Sequence, residues 1–504
     1  MRLWMALAIC TAGHAQPPAI RQNGVFNSAS RIPSGLTGSS LARRSRFTIE
    51  GIRLANPAAE TRVRLHHGDR SILLPVISAE PRRINAWVPT GAPPGPATLS
   101  VETAAGESLQ FPVTVVSTDA GLYTANEKGW GPGARAAHSG DILELPGTGF
   151  GDADAVKVIV GGRTVPGHVT RGDRGLDRIR FRIPADAPEG CFVPVYAGTA
   201  DGPRSNVVTI AIGASSGCAM PTGWPTPADR GRTAGILGVA RSSTQFALSQ
   251  PIITNDEAFA AFFANGWPAD PSAVILTPPR GLCTAYSAIY GANTDFESIA
   301  AVLTHLGGNP SLDAGGRLTI AGAGDERSIP QSGALAGEYW TRLGFEDASR
   351  RRTLPLFLND PQYRITIPGG KQVNAFSEIV PGVPQVEWTN RDALAVVERS
   401  RPLRLTWTGA PADATMLLVA ASFDAASTAG QVCYCAAASE AGQFEIPPQM
   451  FARFPATGTA PGPARGGVML IAVHARQITG QLPRGLDVLR AVSVSAIRRR
   501  VEFR

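Results

Sequence analysis

Arg178-Ile-Arg-Phe-Arg-Ile183 (RIRFRI) decides the fold class. Ile179, Phe181 and Ile183 take every second position, and Arg178, Arg180 and Arg182 take the others. Successive side chains on a strand point to opposite faces, so this pattern predicts a β-strand with one buried and one wet face. Residues 184–190 (PADAPEG) break the run with Pro and Gly, and further strands are expected at 191–197 and 207–212.

The same phrasing occurs earlier in the chain. Trp87-Val-Pro-Thr-Gly-Ala-Pro-Pro-Gly95 matches Arg182-Ile-Pro-Ala-Asp-Ala-Pro-Glu-Gly190, an offset of 95 residues. Val63-Arg-Leu65 before His66, His67 and Gly68 matches Val158-Ile-Val160 before Gly161 and Gly162 at the same offset. Phe47-Thr-Ile-Glu-Gly51 corresponds more loosely to Ile142-Leu-Glu-Leu-Pro-Gly147. A repeat of this length is the size of one β-sandwich domain.

Composition agrees with this reading. With 55 Gly, 41 Pro and only 17% charged residues in 504, the chain suits short strands and tight turns better than solvated helices. A chain this long exceeds one core, and about three to five domains are expected. Net charge is +7, but basic residues are scattered apart from 350–352 and 498–500, with no aromatic-interleaved patch, so nucleic acid is not expected as a partner. Arg2, the apolar run 3–10 and small residues at Gly13 and Ala15 predict a signal peptide over 1–15 with cleavage before Gln16. No later apolar run reaches the ~18 residues of a membrane span. The expected localisation is secreted: extracellular, cell surface or periplasm.

Export leaves Cys191, Cys218, Cys283, Cys433 and Cys435, an odd number in an oxidising compartment. Cys191 and Cys218 flank one strand pair and are the expected disulfide, contributing about 3–4 kcal/mol in the chain-entropy model. Cys433 and Cys435 share a strand face and cannot comfortably bond to each other, but one of them is placed to reach Cys283.

Residues 214–235 are rich in Ser, Gly, Pro and Thr and are expected to be a linker. Beyond it, two helices are expected. The first covers 256–264 with Phe259, Phe262 and Phe263 on one face; the second covers 295–306 and ends at Gly307-Gly308. From Leu312 onward β character returns, with strands at 403–407, 416–423, 431–437 and 468–474.

The first two repeats resemble IPT/TIG domains, which are immunoglobulin-like. The likeness rests on Gly161-Gly162, the strands closing on Pro89 and Pro184, and the turns 93–95 and 188–190. More broadly the chain resembles a group of secreted proteins of soil bacteria. Phe26-Asn-Ser-Ala-Ser30, Gly121-Leu-Tyr-Thr-Ala-Asn126 with Gly129-Trp-Gly131, Cys191-Phe-Val-Pro-Val195 and Ser205-Asn-Val-Val-Thr-Ile210 carry that likeness. Ser311-Leu-Asp-Ala-Gly315, Trp388-Thr-Asn390 and Leu405-Thr-Trp-Thr-Gly409 extend it toward the C-terminus. His67-Gly68 replaces the glycine pair in the first repeat, and 254–310 matches no phrase of the group. The resemblance implies secretion and β-sandwiches, and brings no catalytic residues.

The implied fold is mainly β: tandem immunoglobulin-like β-sandwich domains with one or two short inserted helices in the second half. The expected division is 16–117, 118–213, linker 214–235, a β-rich domain with helical insertions at 236–385, and a C-terminal β-sandwich at 386–504.

Several motifs bear on chemistry. Gly213-Ala-Ser-Ser-Gly217 spells a nucleophile elbow, but Pro221 and Pro225 deny it the following helix. Leu145-Pro-Gly-Thr-Gly149 spells a sorting signal in mid-chain, where it is structural, and Arg171-Gly-Asp173 falls in a loop. His66 and His67 point to opposite faces and cannot chelate together. Cys283, Cys433 and Cys435 offer three thiolates without a fourth ligand. Asp152-Ala-Asp154 is too short for an EF-hand loop. Tryptophans 130, 224, 267, 340, 388 and 407 are either core or, if exposed, stacking platforms for sugar rings. No catalytic residue, cofactor or metal site is assigned. The expected function is non-catalytic: extracellular binding, adhesion or scaffolding toward a protein or polysaccharide. A carbohydrate-binding module is the alternative, and an enzyme with its site in 236–385 the more distant one.

Overall fold

In the computed structural model, Asp177–Arg182 is a strand that alternates strictly, with Ile179 and Phe181 buried and the three arginines exposed. The structure describes residues 16–504 apart from 56–59, 124–135, 200–203, 214–217, 222, 246–250, 267–277, 290–309, 323, 333–335, 348–351, 425–428 and 458–465.

The first unit contains β1 (Ala19–Asn27), β2 (Leu41–Ala42), β3 (Arg46–Ile52), β4 (Arg62–His67), β5 (Arg70–Leu74), β6 (Val76–Glu80), β7 (Arg83–Trp87), β8 (Gly95–Thr103), β9 (Gly106–Glu107) and β10 (Phe111–Val116). Two sheets, β1-β3-β7-β6 and β2-β10-β8-β4-β5, enclose a core that includes Phe47, Ile49, Leu65, Ile84 and Leu99. This is the immunoglobulin strand order, A-B-E-D facing G-F-C, with β2 lying parallel against β10.

The second unit contains β11 (Gly121–Leu122), β12 (Ile142–Thr148), β13 (Ala155–Val160), β14 (Arg163–Thr170), β15 (Asp177–Arg182), β16 (Gly190–Gly198) and β17 (Val208–Ile212). Their order, β11-β12-β15-β14-β13-β16-β17, is again A-B-E-D and C-F-G. Here the halves are joined because β13 and β14 form a hairpin over Gly161-Gly162, both at positive φ (53° and 82°), where a side chain would be strained. The 95-residue offset maps strand onto strand: Val63 and Val158 lie in β4 and β13, and Gly95 and Gly190 open β8 and β16.

The remainder contributes β18 (Ala234–Gln245), β19 (Ile253–Phe263), β20 (Cys283–Ile289), β21 (Arg317–Ala321), β22 (Glu326–Pro330), β23 (Glu338–Asp347), β24 (Arg352–Leu354), β25 (Gln362–Ile367), β26 (Phe376–Pro381), β27 (Glu387–Trp388), β28 (Val396–Val397), β29 (Leu403–Thr408), β30 (Thr415–Phe423), β31 (Ala429–Ala438), β32 (Gln443–Ile446), β33 (Gly466–Gln477), β34 (Val488–Arg500) and β35 (Glu502–Phe503). Nine of these form one sheet in the order β20-β31-β30-β33-β34-β18-β19-β23-β24. One face of it carries a single core, including Phe259, Phe263, Leu417, Tyr434 and Val492. The other face is covered twice. Sheet β22-β21-β25-β26 packs over Phe262, Tyr339 and Leu489, and sheet β27-β29-β32 packs over Leu418, Cys435 and Leu470. Each large apolar side chain buried this way contributes roughly 1.5–3 kcal/mol.

Two expectations for this half change, and a third falls outside the described residues. Residues 256–264 are not a helix: 256–263 belong to β19, buried on both faces, with Phe259 and Phe263 on one and Phe262 on the other. A strand buried on both faces loses the polar alternation that marks a strand in sequence. The helix expected at 295–306 lies outside the described residues; helical turns among those described are short 3-10 segments. The division at 385/386 runs through the nine-stranded sheet, because β18 pairs in parallel with β34 from Ala234↔Val488 to Gln245↔Arg499.

The expected linker is also docked where it is described. Trp224 is buried in the central core. Asp229 accepts hydrogen bonds from the Thr226 backbone N–H (2.8 Å) and from Arg490 Nη2 (2.5 Å). Arg490, on β34, is only 1% exposed, and this paired carboxylate is what lets a guanidinium sit on a core face.

Candidate binding site at the junction of the three units

Asn27 ends β1 and organises the junction. Its Oδ1 accepts from the backbone N–H of Ala29 (2.9 Å) and Ser30 (3.2 Å), and its Nδ2 donates to Asp119 O (2.9 Å). One side chain therefore turns the β1–β2 loop and ties the first unit to the second. Thr148 Oγ1 adds a second tie, accepting from Arg46 N (2.8 Å) and donating to Gly175 O (2.6 Å). Gly175 sits at φ 76°, and a Cβ there would lie 2.3 Å from Arg44 O, so only glycine allows this approach.

The β1–β2 loop then reaches the third unit, where Ile32 and Leu36 bury against Ala429 of β31. Tyr196 and Val207 of the second unit pack on the core that contains Cys283 and Cys435. Cys191 and Cys218 are disulfide-bonded, and with Phe192, Met220 and Tyr286 they form a small cluster between the second unit and β20.

Arg453 is the polar centre of the junction. It donates from Nη2 to Arg204 O of the second unit, and Gly38 of the first unit lies against its guanidinium, where a Cβ would stand 2.9 Å from Nε. Burial holds its pKa down to about 10, although the charge of Asp119 pulls upward. Asp119, between the first two units, is buried with neither carboxylate oxygen hydrogen-bonded. Burial lifts its pKa to about 6, while the charge of Arg453 pulls the other way.

Two adjacent cavities open here. One, of about 290 Å³, is lined by Phe26, Ser30 and Arg31 from the first unit, Asn206 from the second, and Tyr286 and Gln431 from the third. The other, of about 340 Å³, is bounded by Thr37, Tyr196, Arg204 and Met450. Val207, Ala285, Gln431 and Arg453 line both. Gln431 and Ser30 are 5% and 6% exposed, and neither Gln431 Oε1 nor Ser30 Oγ has a hydrogen-bond partner. Buried polar atoms left unpaired cost roughly 1–3 kcal/mol each.

The residues singled out from sequence are distributed elsewhere. Leu145–Thr148 of the sorting-type motif lie in β12, and Thr148 holds the interdomain contact. Arg171 is turned inward onto Ala153 O (2.6 Å) and Asp177 (3.3 Å), so Arg171-Gly-Asp173 is not presented as a free tripeptide. His66 bonds Ser100 Oγ (2.7 Å) and His67 bonds Pro94 O (3.1 Å). Cys283 is bonded to Cys435, leaving Cys433 as a buried thiol whose pKa burial raises steeply. Asp154 stands 3.8 Å from Arg171 and is largely exposed. Trp224, Trp388 and Trp407 are core, and Trp340 is partly buried against it. Trp130, Trp267 and the segment 214–217 lie outside the described residues. Among those described, no aromatic side chain is exposed.

Sequence reasoning missed Ser30, Asp119, Gln431 and Arg453. The only signal near them was the phrase Phe26–Ser30, whose asparagine makes the turn.

No family model matches the chain, and no curated relative matches it. Solved structures that the chain matches include titin Ig tandem domains A164-A165 (9% identity, 34% of this chain and 90% of that one, TM-score 0.15). Another is a tetra-tandem repeat in the extending region of a large adhesion protein (10%, 95% and 99%, TM-score 0.15). A third is SGBP-B of a Bacteroides ovatus mixed-linkage glucan utilization locus in complex with a mixed-linkage heptasaccharide (13%, 77% and 79%, TM-score 0.14). At these scores the likenesses carry no argument about ligand or activity.

Proposed function

We propose that this chain is a non-catalytic binding protein of the cell exterior, and that it holds its ligand where its three units meet. The observation that carries this reading is a cavity to which all three units contribute, lined by Gln431 and Ser30, two nearly buried residues whose side-chain oxygens have no hydrogen-bond partner. Two disulfides suit an oxidising compartment, and no described helix is long and apolar enough to cross a membrane. Export through a signal over 1–15 and IPT/TIG character for the first two units belong to the same proposal. The immunoglobulin strand order, the 95-residue repeat and the Gly161-Gly162 hairpin support the latter.

A surface platform of aromatics for sugar rings finds no support among the described residues, since their aromatic side chains are buried or half-buried. The enclosed junction is the better location for a saccharide or other polar compound. A scaffold or adhesion role is the second reading, favoured by the way the units dock through Asn27, Thr148 and Arg453.

The test is equilibrium binding of the full chain to an array of bacterial and plant polysaccharides and their oligomers, beside Gln431→Leu. Selective binding that weakens at least tenfold in the variant is expected. Absence of binding, or binding indifferent to Gln431→Leu, overturns the junction reading and leaves the scaffold.

A further inference from the structure

From the charge of the same cavity we infer its ligand class: an acidic saccharide, carrying hydroxyl groups and a carboxylate of the uronic-acid type. This rests on the junction being a binding site.

The lining is one-sided in charge. Arg21, Arg31 and Arg453 border the first cavity, Arg204 and Arg453 the second, and no Asp or Glu borders either. The nearest balancing acids stand behind the lining. Glu50 accepts from Arg31 (3.1 Å) and Arg83 (3.3 Å) and also pairs with Arg21. Asp119 balances Arg453 from the interdomain side. The four lining guanidiniums, with Arg83 outside the cavities, thus share two carboxylates, and the lining keeps a positive excess. Arg31 is held over the Phe26 ring at 4.9 Å and Arg204 over the Tyr196 ring at 5.3 Å, so two of the cations are pre-positioned. Pre-positioned guanidiniums favour a planar carboxylate, which accepts charge-assisted hydrogen bonds.

Charge alone does not describe the site. Gln431 Oε1 is an acceptor and needs a donor, which a bare carboxylate lacks. Ser30 Oγ can either give or take a hydrogen bond. A sugar hydroxyl serves both, and the partly buried Tyr286 ring supplies apolar wall for the ring carbons. A compound with one carboxylate and several hydroxyls on a small ring satisfies every group named.

Titration calorimetry on the full chain separates the outcomes. The probes are glucuronate oligomers, the same oligomers with the carboxyl as methyl ester, neutral glucose oligomers, and acetate. Glucuronate oligomers are expected to bind at least tenfold more tightly than their esters, and Arg31→Gln to remove that preference. The ester comparison needs no variant, so a misfolded substitution cannot hide the answer; Arg21→Gln, at a more exposed arginine, is the second variant. Equal or tighter binding of the ester or the neutral oligomers overturns the acidic class while leaving the junction reading standing. Acetate binding as tightly as glucuronate overturns the saccharide. Failure of all four probes to bind overturns the inference; binding of another polymer from the array, if lost in Gln431→Leu, would still uphold the junction.

Discussion

Asp119→Asn tests the electrostatics of the junction. The ordinary aspartate value is 3.8, and in the folded chain burial raises Asp119 to about 6, with the attraction of Arg453 already included. A carboxyl with a raised folded pKa binds its proton more tightly in the folded than in the unfolded chain. Its contribution to stability is therefore full below about pH 4, falls as pH rises toward 6, and is level above that. A difference of about two pKa units corresponds to about 3 kcal/mol. Asparagine has nearly the same shape and does not titrate. The variant should match the parent at pH 4 and exceed it by about 3 kcal/mol at pH 7. Urea unfolding followed by circular dichroism at pH 4, 5, 6 and 7 measures this. With an m-value of about 3 kcal/mol/M, the gap at pH 7 is about 1 M in midpoint. Other carboxylates titrate over the same range, but they cancel in the difference between the two proteins. Curves that run parallel from pH 4 to pH 7 would refute a buried, charge-strained Asp119.

Three further predictions concern stability. Asp229→Ala leaves Arg490 buried without its counter-charge and should cost about 3–5 kcal/mol, whereas replacing both partners, Asp229→Ala with Arg490→Met, should be near neutral. The comparison is read from urea midpoints, and equal losses in both would sink the argument. Asp256 accepts two hydrogen bonds from Arg241 (2.7 and 2.8 Å) and one each from the Phe357 and Leu358 N–H groups (2.8 Å). Asp256→Ala should cost at least about 3 kcal/mol and expose 355–360 to proteolysis, which limited chymotrypsin digestion at Leu356, Phe357 and Leu358 would reveal. Peptide mapping without reductant should return Cys191–Cys218 and Cys283–Cys435 as linked peptides, with Cys433 alkylated only after denaturation. Breaking these links, which span separations of 27 and 152 residues, should cost about 4 and about 5 kcal/mol in the chain-entropy model. The losses are again measured as urea midpoints, and a smaller loss for the longer loop would count against that model here.

The N-terminal half was legible because its strands have one wet face. In β15 the three arginines mark the outside, and the proline and glycine turns recur at the same offset in both repeats. The second half hid its strands for the opposite reason. In β19, Phe259, Phe262 and Phe263 have helical spacing, yet each face of the strand meets a different core, so apolar residues fill every position from Ala258 to Phe263. The pairing of β18 with β34 joins residues about 250 positions apart. Nothing local in either strand names its partner, which is why a boundary at 385/386 looked natural.

The junction was illegible for a further reason: its parts are ordinary by themselves. Ser30 in a loop, Gln431 on a strand and Arg453 after a 3-10 turn carry no motif, and they acquire meaning only from mutual burial. Gln431 lies on the same side of β31 as Cys433 and Cys435, where the neighbours along the strand are apolar core. A glutamine in that row, buried with an unpaired oxygen, breaks the local rule for a β core. Had it served only packing, a leucine would fill the volume without the desolvation cost. The row opens into a cavity at that position, with guanidiniums on its other walls. The violation of the packing rule and the one-sided charge therefore coincide in space while arising from different parts of the chain. Gln431→Leu separates the two explanations. If the glutamine is only a tolerated defect, the substitution should stabilise the fold by about 1–3 kcal/mol and leave ligand binding intact. If it is retained for a ligand, the same variant should gain that stability and lose the binding.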